Sequence, residues 1–175
     1  MFESLIATVK MAFASLFLAS SAQVSGPAAT PLPAPDFTGI SHWLNSEPKS
    51  LSKLRGQVVL VDFWTYTCIN CIHTLPYVKQ WDQKYRDQGL TVVGVHTPEF
   101  PIERQTENVA QAIKRFGIQY AVAQDNDYAT WDAYRNRYWP ALYLIDKQGN
   151  IVYRHFGEGN YKETEAEIQR LLAQP

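Results

Sequence analysis

Cys68 and Cys71 are the only two cysteines in this chain of 175 residues, and two residues separate them. Thiols at this spacing at the start of a helix can close a disulfide, and the free N–H groups of the first helical turn stabilise a thiolate on the first thiol. We therefore predict a redox-active dithiol with Cys68 as the nucleophile. Cys71, one turn further into the helix and more buried, is predicted to be the resolving thiol that attacks a mixed disulfide.

The residues around the pair predict the elements that position it. An apolar run rich in β-branched residues, 58–64, precedes the cysteines and predicts a buried strand. After the cysteines, apolar residues recur at spacings of three and four as far as Gly89, which predicts a helix that ends there. Asp62 lies inside the strand, where a carboxyl group needs a partner or a function. We expect burial to raise its pKa until it can shuttle a proton near neutrality; the alternative is a structural carboxyl bonded to a backbone or hydroxyl group.

The remaining patterns predict an α/β domain. Predicted strands are 90–96, 118–123, 141–146 and 151–156, and predicted helices are about 103–116, 128–138 and a last one after Asn160. Strands that alternate with helices imply a parallel sheet with crossovers, and the last two strands form an antiparallel hairpin. Asn160 and Glu163 are predicted to form a capping box. Trp139-Pro140 precedes a strand, where the proline favours a cis peptide bond; a simple strand-entry proline is the alternative.

The N-terminal residues differ in kind from the rest. Residues 1–22 combine a lysine, an apolar stretch and small residues up to Ala22, so we predict an export signal cleaved after Ala22, with an uncleaved membrane anchor as the alternative. Residues 23–35 are rich in Pro and Ala and also contain Ser and Thr, which is typical of a flexible linker. Residues 36–175 are predicted to form one domain, of which 36–54 is a short extended cap on the sheet.

The composition is that of an ordinary globular domain. Hydrophobic residues make up 46% of the chain and charged residues 19%, with a formal net charge of −1. Without a basic excess, nothing in the sequence indicates binding to nucleic acid or to an anionic membrane surface. A lone dithiol in an exported protein suits a catalyst better than a scaffold, because the outer compartment is oxidising.

Several motifs resemble those of the thioredoxin superfamily. They are Val61-Asp62-Phe63-Trp64, Cys68-x-x-Cys71, Pro76 and the late Pro140. The lead-in Pro35-Asp36-Phe37 and the run 51–61 are similar to the TlpA and ResA branch of that superfamily. The stretches that are most similar to the thioredoxin-like domain of DipZ-type proteins are 63–71, 96–100 and 155–159.

This resemblance implies a thioredoxin fold, which is a central mixed sheet flanked by helices, here with an N-terminal extension and a central insert. It also implies that Asp62 is the buried acid that accepts the proton of Cys71. Pro140, if cis, exposes the backbone of Trp139 beside the dithiol, where an extended client segment can add as a strand. The indole of Trp139 then either restricts the choice of clients or only packs.

Two further residues complete the predicted site. Trp64 is expected to wall the dithiol and to contact the substrate. Glu99 follows the carboxyl end of the second strand, where sites of α/β proteins gather, and His96 ends that strand. The resemblance to DipZ-type domains places Glu99 near the dithiol, where it assists proton transfer or contacts a client; a plain surface loop is the alternative.

Together these features predict an exported, extracytoplasmic or periplasmic thiol-disulfide oxidoreductase. Reduction of clients is favoured over oxidation, because Ile69-Asn70 between the cysteines provides no histidine to stabilise the thiolate strongly. We expect no cofactor besides the Cys68–Cys71 disulfide, no metal and a monomer. The expected partners are client proteins with disulfides and a membrane electron donor of the CcdA or DsbD type, with no nucleic acid.

Two other functions remain open from the sequence. A peroxiredoxin-like peroxidase shares the fold and has a threonine at the place of Thr65, but Val61 stands where its proline is expected. A copper-binding carrier of thioredoxin fold is the second alternative, because two thiols and a nearby histidine suit Cu(I). Such carriers usually space their cysteines more widely and recruit a distant histidine.

Overall fold

The computed structural model describes residues 32–175, so the predicted signal peptide or anchor and most of the predicted linker lie outside the described residues. The strands are β1 (Leu32–Pro33), β2 (His42–Leu44), β3 (Val58–Trp64), β4 (Leu90–His96), β5 (Ala121–Gln124), β6 (Ala141–Ile145) and β7 (Asn150–Phe156). The helices are α1 (Ile69–Tyr85), α2 (Thr106–Phe116), α3 (Ala129–Ala133) and α4 (Tyr161–Leu172). Within this described part of the chain, every helix is too short or too polar to cross a membrane.

A single mixed sheet holds the seven strands in the order β1-β7-β6-β3-β4-β5-β2. The central strand β3 pairs in parallel with β4 and antiparallel with β6, and β6 and β7 form the predicted antiparallel hairpin. The predicted central insert supplies β5, which pairs in parallel with β4. This topology confirms the α/β class and the thioredoxin fold.

Both faces of β3 are covered, because all seven of its residues are buried. Successive side chains of a strand point to opposite faces. Leu60 and Trp64 therefore pack with α1, α2 and α4 on one face, whereas Val61 and Phe63 pack with α3 and the N-terminal segment on the other. Asp62 has the same parity as Leu60 and Trp64, so its carboxyl group enters the face that α1 covers.

Three predicted elements differ in their limits. The helix predicted from Glu103 begins at Thr106, because residues 101–104 form a separate 3₁₀ turn. The strand predicted at 118–123 is β5, shifted to Ala121–Gln124. The helix predicted at 128–138 is only α3, because Tyr128 and Arg135 adopt left-handed backbone angles on either side of it.

The two ends of the domain also required corrections. Leu32–Pro33, inside the segment predicted as a flexible linker, pairs with Asn150 and Ile151 of β7, and this pairing fixes its backbone. The predicted capping box at Asn160 is wrong. Asn160 has a left-handed backbone angle of φ 55°, and its side chain donates to the Tyr153 hydroxyl instead of capping α4.

Candidate active site

The dithiol lies where β3 passes into α1. Cys68 is the N-cap residue of α1, with an extended backbone, and its Sγ accepts a hydrogen bond from the Cys71 N–H at 3.4 Å. The Sγ of Cys68 is partly exposed to solvent, whereas Cys71 is 1% exposed. The structure therefore has an accessible first thiol and a buried second thiol, as predicted.

The pKa values of the two thiols are shifted in opposite directions. The hydrogen bond from Cys71, with help from the backbone N–H groups of Cys71 and Asn70, lowers the pKa of Cys68 to about 6, although partial burial and the charge of Glu99 oppose this. Burial raises the pKa of Cys71 far above its ordinary value, and its hydrogen bond to Cys68 raises it further. At neutral pH the first thiol is thus a thiolate and the second keeps its proton.

Asp62 is the acid nearest to this pair in the sheet. It is 1% exposed, and burial together with the negative charge of Cys68 raises its pKa to about 7. Among residues 32–175 its Oδ1 has no hydrogen-bond partner, so this oxygen does not fit the alternative of a structural carboxyl. A carboxyl group with this pKa can take up and release a proton at neutral pH.

The peptide bond between Trp139 and Pro140 is cis, as the sequence predicts. The Cys68 Sγ lies 3.9 Å from the Trp139 carbonyl oxygen, so the backbone of Trp139 faces the nucleophile. The indole is engaged elsewhere, since its Nε1 donates to the Thr97 carbonyl at 3.0 Å and its ring packs on Trp131 at 4.1 Å between centroids. Of the two predicted roles of this indole, packing is the one that these contacts support.

The predicted role of Trp64 needs a correction. Its side chain is 0% exposed and packs edge-on against the ring of His96, at 5.2 Å between centroids. Because β3 is central and covered on both faces, this indole lies beneath the dithiol and does not wall a surface that a substrate can reach. His96 is buried as well, and burial lowers its pKa to about 4, so it stays neutral at neutral pH.

Glu99 lies on the surface, in the loop that follows β4. Its charge raises the pKa of Cys68, which places its carboxylate within electrostatic reach of the nucleophile. That Glu99 belongs to the site, by contacting a client or by moving a proton, stays a prediction.

Glu103 is the residue that the sequence reasoning missed. This buried carboxylate accepts hydrogen bonds at Oε1 from the Thr67 hydroxyl (2.6 Å) and the Thr67 N–H (3.3 Å), and at Oε2 from the N–H groups of Glu99 (2.6 Å) and Phe100 (2.9 Å). Burial raises its pKa, but the donors from Thr67, Thr65, Phe100 and Glu99 outweigh burial and hold the pKa below its ordinary value. Glu103 thus ties the residue before Cys68 to the loop that carries Glu99.

One sequence signal for Glu103 existed. It stands three residues after Phe100, with a proline directly after Phe100, and a glutamate in that place accepts from the backbone N–H of the residue that begins the turn. The bond to Thr67 had no such signal, because 36 positions separate the two residues.

Four exposed apolar side chains, called the apolar rim below, lie next to site residues in the sequence or contact such a neighbour. Ile69 adjoins Cys68 in sequence, Phe100 adjoins Glu99, and Tyr138 adjoins Trp139; their side chains are 60%, 52% and 57% exposed. Phe156 joins this rim through its ring contact with Tyr138, at 5.5 Å between centroids.

No cluster of three or more His, Cys, Asp or Glu side chains in the range 32–175 is arranged to hold a metal ion.

Comparison with known proteins assigns the chain to a family. The redoxin family model matches residues 29–172. Protein DipZ of Mycobacterium tuberculosis is 53% identical over 142 residues, which cover 79% of this chain but only 20% of DipZ, so the chain spans about a fifth of that relative. Thiol-disulfide oxidoreductase YkuV of Bacillus subtilis is 32% identical over 142 residues, which cover 81% of this chain and 95% of YkuV.

Solved structures agree with this assignment. A thiol-disulfide isomerase from Corynebacterium glutamicum superposes with a TM-score of 0.73 at 26% sequence identity, covering 81% of this chain and 98% of that one. The matched region includes the dithiol, the central sheet and all four helices. The chain therefore belongs to the redoxin family, among the thioredoxin-fold proteins of the TlpA and ResA type.

Proposed function

We propose that this chain is an exported thiol-disulfide oxidoreductase that reduces disulfides in client proteins. The observation that supports this proposal best is the opposite shift of the two thiol pKa values above a buried acid. The pKa of Cys68 is lowered to about 6, that of Cys71 is raised, and that of Asp62 is raised to about 7. Such a set provides a nucleophile, a resolving thiol and a proton acceptor within one turn of helix and one strand.

The reaction has two steps. The Cys68 thiolate attacks one sulfur of the client disulfide, the client S–S bond breaks, and a Cys68–client mixed disulfide forms while the first client thiolate leaves and takes a proton from solvent. Cys71 then passes its proton to the Asp62 carboxylate and attacks Cys68 Sγ. The second client thiolate leaves and is protonated, so that the client gains two electrons and the Cys68–Cys71 disulfide retains the oxidation.

The direction of the reaction follows from how strongly the thiolate is stabilised. The nucleophilic cysteine has a pKa of about 7 in a reductant such as thioredoxin and of about 3.5 in the strong oxidant DsbA. The pKa of Cys68, about 6, is closer to that of the reductant than to that of the oxidant. A thiolate that is stabilised only moderately leaves the dithiol form less stable, and this favours giving electrons to a client.

Location and partners belong to the same proposal. The N-terminal residues with the pattern of an export signal support an extracytoplasmic place of action, and the resemblance to DipZ-type domains supports a membrane electron donor of the CcdA or DsbD type. The Trp139 backbone beside Cys68 and the apolar rim support an extended client segment as the substrate. No cofactor beyond the dithiol is needed for these steps.

A redox titration tests the direction. We expect the dithiol of the purified protein to have a reduction potential more negative than about −200 mV and the protein to accelerate reduction of insulin disulfides. Cys68→Ser serves as the control, because it removes the nucleophile. A potential near that of DsbA, about −120 mV, together with oxidation of a reduced client, would contradict the proposal.

The assignment of the nucleophile predicts a pH dependence. Alkylation by iodoacetamide requires the thiolate, so labelling of Cys68 in the reduced protein should accelerate as pH rises and level off above its pKa, with a midpoint at about 6. Cys71 should stay unlabelled over the same range, because its pKa is raised and its side chain is buried. Mass spectrometry of peptides separates the two sites, and faster labelling of Cys71 would reverse their roles.

Asp62→Asn should slow the second step and stabilise the fold. Folding raises the pKa of Asp62 from 3.8 to about 7, so the stability of the native protein falls as pH rises through this window and stays low above it. A shift of about three pKa units corresponds to about 4 kcal/mol, which is an upper limit to the gain because a buried amide also has a desolvation cost.

Urea unfolding at several pH values and release of a thionitrobenzoate mixed disulfide measure the two effects of Asp62→Asn. The stability gain should be small near pH 4 and largest above pH 7. Unchanged release across the neutral range would make Asp62 a structural residue only.

Glu103→Gln should loosen the loop beside the dithiol. Each oxygen of the carboxylate accepts two hydrogen bonds, and the substitution replaces one oxygen with an NH₂ group. The two donors that face this group lose their acceptor, at a cost of about 1–3 kcal/mol. Amide hydrogen exchange should accelerate at Thr67, Glu99 and Phe100, and reduction of insulin should fall more than reduction of the small disulfide DTNB.

Asp125→Asn is the matched control for Glu103→Gln. Asp125 is also a buried carboxylate that accepts two backbone N–H groups, from Thr130 and Trp131, but it holds the start of α3. The Asp125→Asn variant should be less stable than the native protein, but amide hydrogen exchange at Thr67 should not become faster. If Glu103→Gln reduced activity on both substrates equally, the loop that Glu103 holds would have no part in client binding.

A further inference from the structure

Five buried polar atoms on the α1 face of the sheet lack hydrogen-bond partners among residues 32–175. Two are the ring nitrogens His96 Nδ1 and His155 Nε2, which strand parity and register place on this face. The other three are Asp62 Oδ1, Trp64 Nε1 and Tyr120 Oη. One is an acceptor, the indole N–H is a donor only, and the phenol hydroxyl is both. A buried polar group without a partner lowers the stability of the fold, so three together call for an explanation.

The geometry gathers these atoms around Gly94. Gly94 is the register partner of Asp62 across the parallel pair of β3 and β4, so the two positions share a face. A Cβ atom at Gly94 would lie 3.0 Å from Trp64 Nε1 and 3.0 Å from Tyr120 Cε2, the ring carbon next to the one that bears the hydroxyl. The lack of a side chain at position 94 therefore admits the indole N–H and the hydroxyl end of the Tyr120 ring beside Asp62.

The charged groups around Tyr120 keep its hydroxyl protonated. Burial raises its pKa well above the ordinary value, and Asp62, Asp82 and Cys71 raise it further. Asp82, Tyr85 and the two cysteines are the titratable groups on this side of α1. Gly94 and Leu142, beside Asp62 in the neighbouring strands, do not titrate. His96 of β4 packs edge-on against Trp64, and burial lowers its pKa to about 4, so it stays neutral. The phenol is thus a hydrogen-bond donor throughout the pH range of the reaction.

We propose that Tyr120 is a positioning residue for Asp62, joined to it by one buried water that accepts hydrogen bonds from Tyr120 Oη and Trp64 Nε1 and donates one to Asp62 Oδ1. A single water with three polar partners satisfies all three atoms, and buried waters of this kind usually make about three hydrogen bonds.

This inference rests on the proposed role of Asp62 in the second step. The water, polarised by two donors, stabilises the carboxylate form of Asp62. A larger fraction of Asp62 is then ionised near neutrality and ready to take the proton of Cys71. Tyr120 keeps its own proton and makes no hydrogen bond to either thiol, so it acts through Asp62.

Tyr120→Phe tests the proposal through a pH profile. The probe is the mixed disulfide of Cys68 with thionitrobenzoate, whose release reports the attack by Cys71. Losing one of the two donors to the water should raise the pKa of Asp62 by about one unit, which makes release up to about tenfold slower on the acidic side and equal to the native rate at higher pH.

Tyr134→Phe is the matched control. The Tyr134 hydroxyl is also buried without a partner among the described residues, but its ring packs on Phe63, on the opposite face of the sheet. Its profile should superimpose on that of the native protein. A Tyr120→Phe profile that is unshifted, that moves to lower pH, or that Tyr134→Phe reproduces would overturn the proposal.

Two further measurements separate the possible failures. If Asp62→Asn keeps the acidic limb of the profile, the role of Asp62 fails, whatever Tyr120 does. A high-resolution crystal structure of the native protein tests the water itself, even if Tyr120→Phe does not fold. We expect density within hydrogen-bond distance of all three atoms, and a site without a water would overturn the proposal.

Discussion

Shielding of the α1 face of β3 from bulk solvent is the constraint on which the site depends. Asp62 and Cys71 are each 1% exposed, and desolvation is the main reason that both pKa values rise. The pKa of Cys68, which lies at the helix N-terminus and partly in solvent, is lowered instead, because the hydrogen bond from Cys71 stabilises its thiolate. One turn of α1 thus crosses from a solvated to a desolvated environment, and this crossing distinguishes the two thiols.

Desolvation of the Asp62 carboxyl group is unfavourable, and the packing around β3 has to outweigh it. A carboxyl group inside an apolar core lowers the stability of the fold, and other packing must outweigh it. β3 is bonded on both sides, over seven register pairs with β4 and five with β6, and both of its faces are covered. The most constrained strand of the domain therefore carries the acid, which keeps the carboxyl group buried beneath a reactive helix start.

How much the sequence predicts depends on how local each signal is. β3 and β4 agree with prediction at both ends, because mainly apolar runs bounded by polar or glycine residues leave little choice of limits. The dithiol and Asp62 follow from position within those elements. The limits of α3 and the conformation of Asn160 depend on left-handed backbone angles at residues other than glycine, which local patterns do not reveal. Trp64 was misjudged because burial on the inner face of a central strand is a property of the assembled sheet.

Glu103 and Asp62 show that burial alone does not decide what a carboxyl group does. Both are almost fully shielded from solvent. Glu103 receives four donors and its pKa falls below the ordinary value, whereas Asp62 Oδ1 has no donor within the described chain and the pKa of Asp62 rises to about 7. Glu103 is thus a carboxyl group bonded to backbone and hydroxyl groups, of the kind that the sequence offered as an alternative for Asp62. Since neighbours distant in sequence set the number of donors, tertiary structure decides whether the pKa of a buried carboxyl group falls or rises.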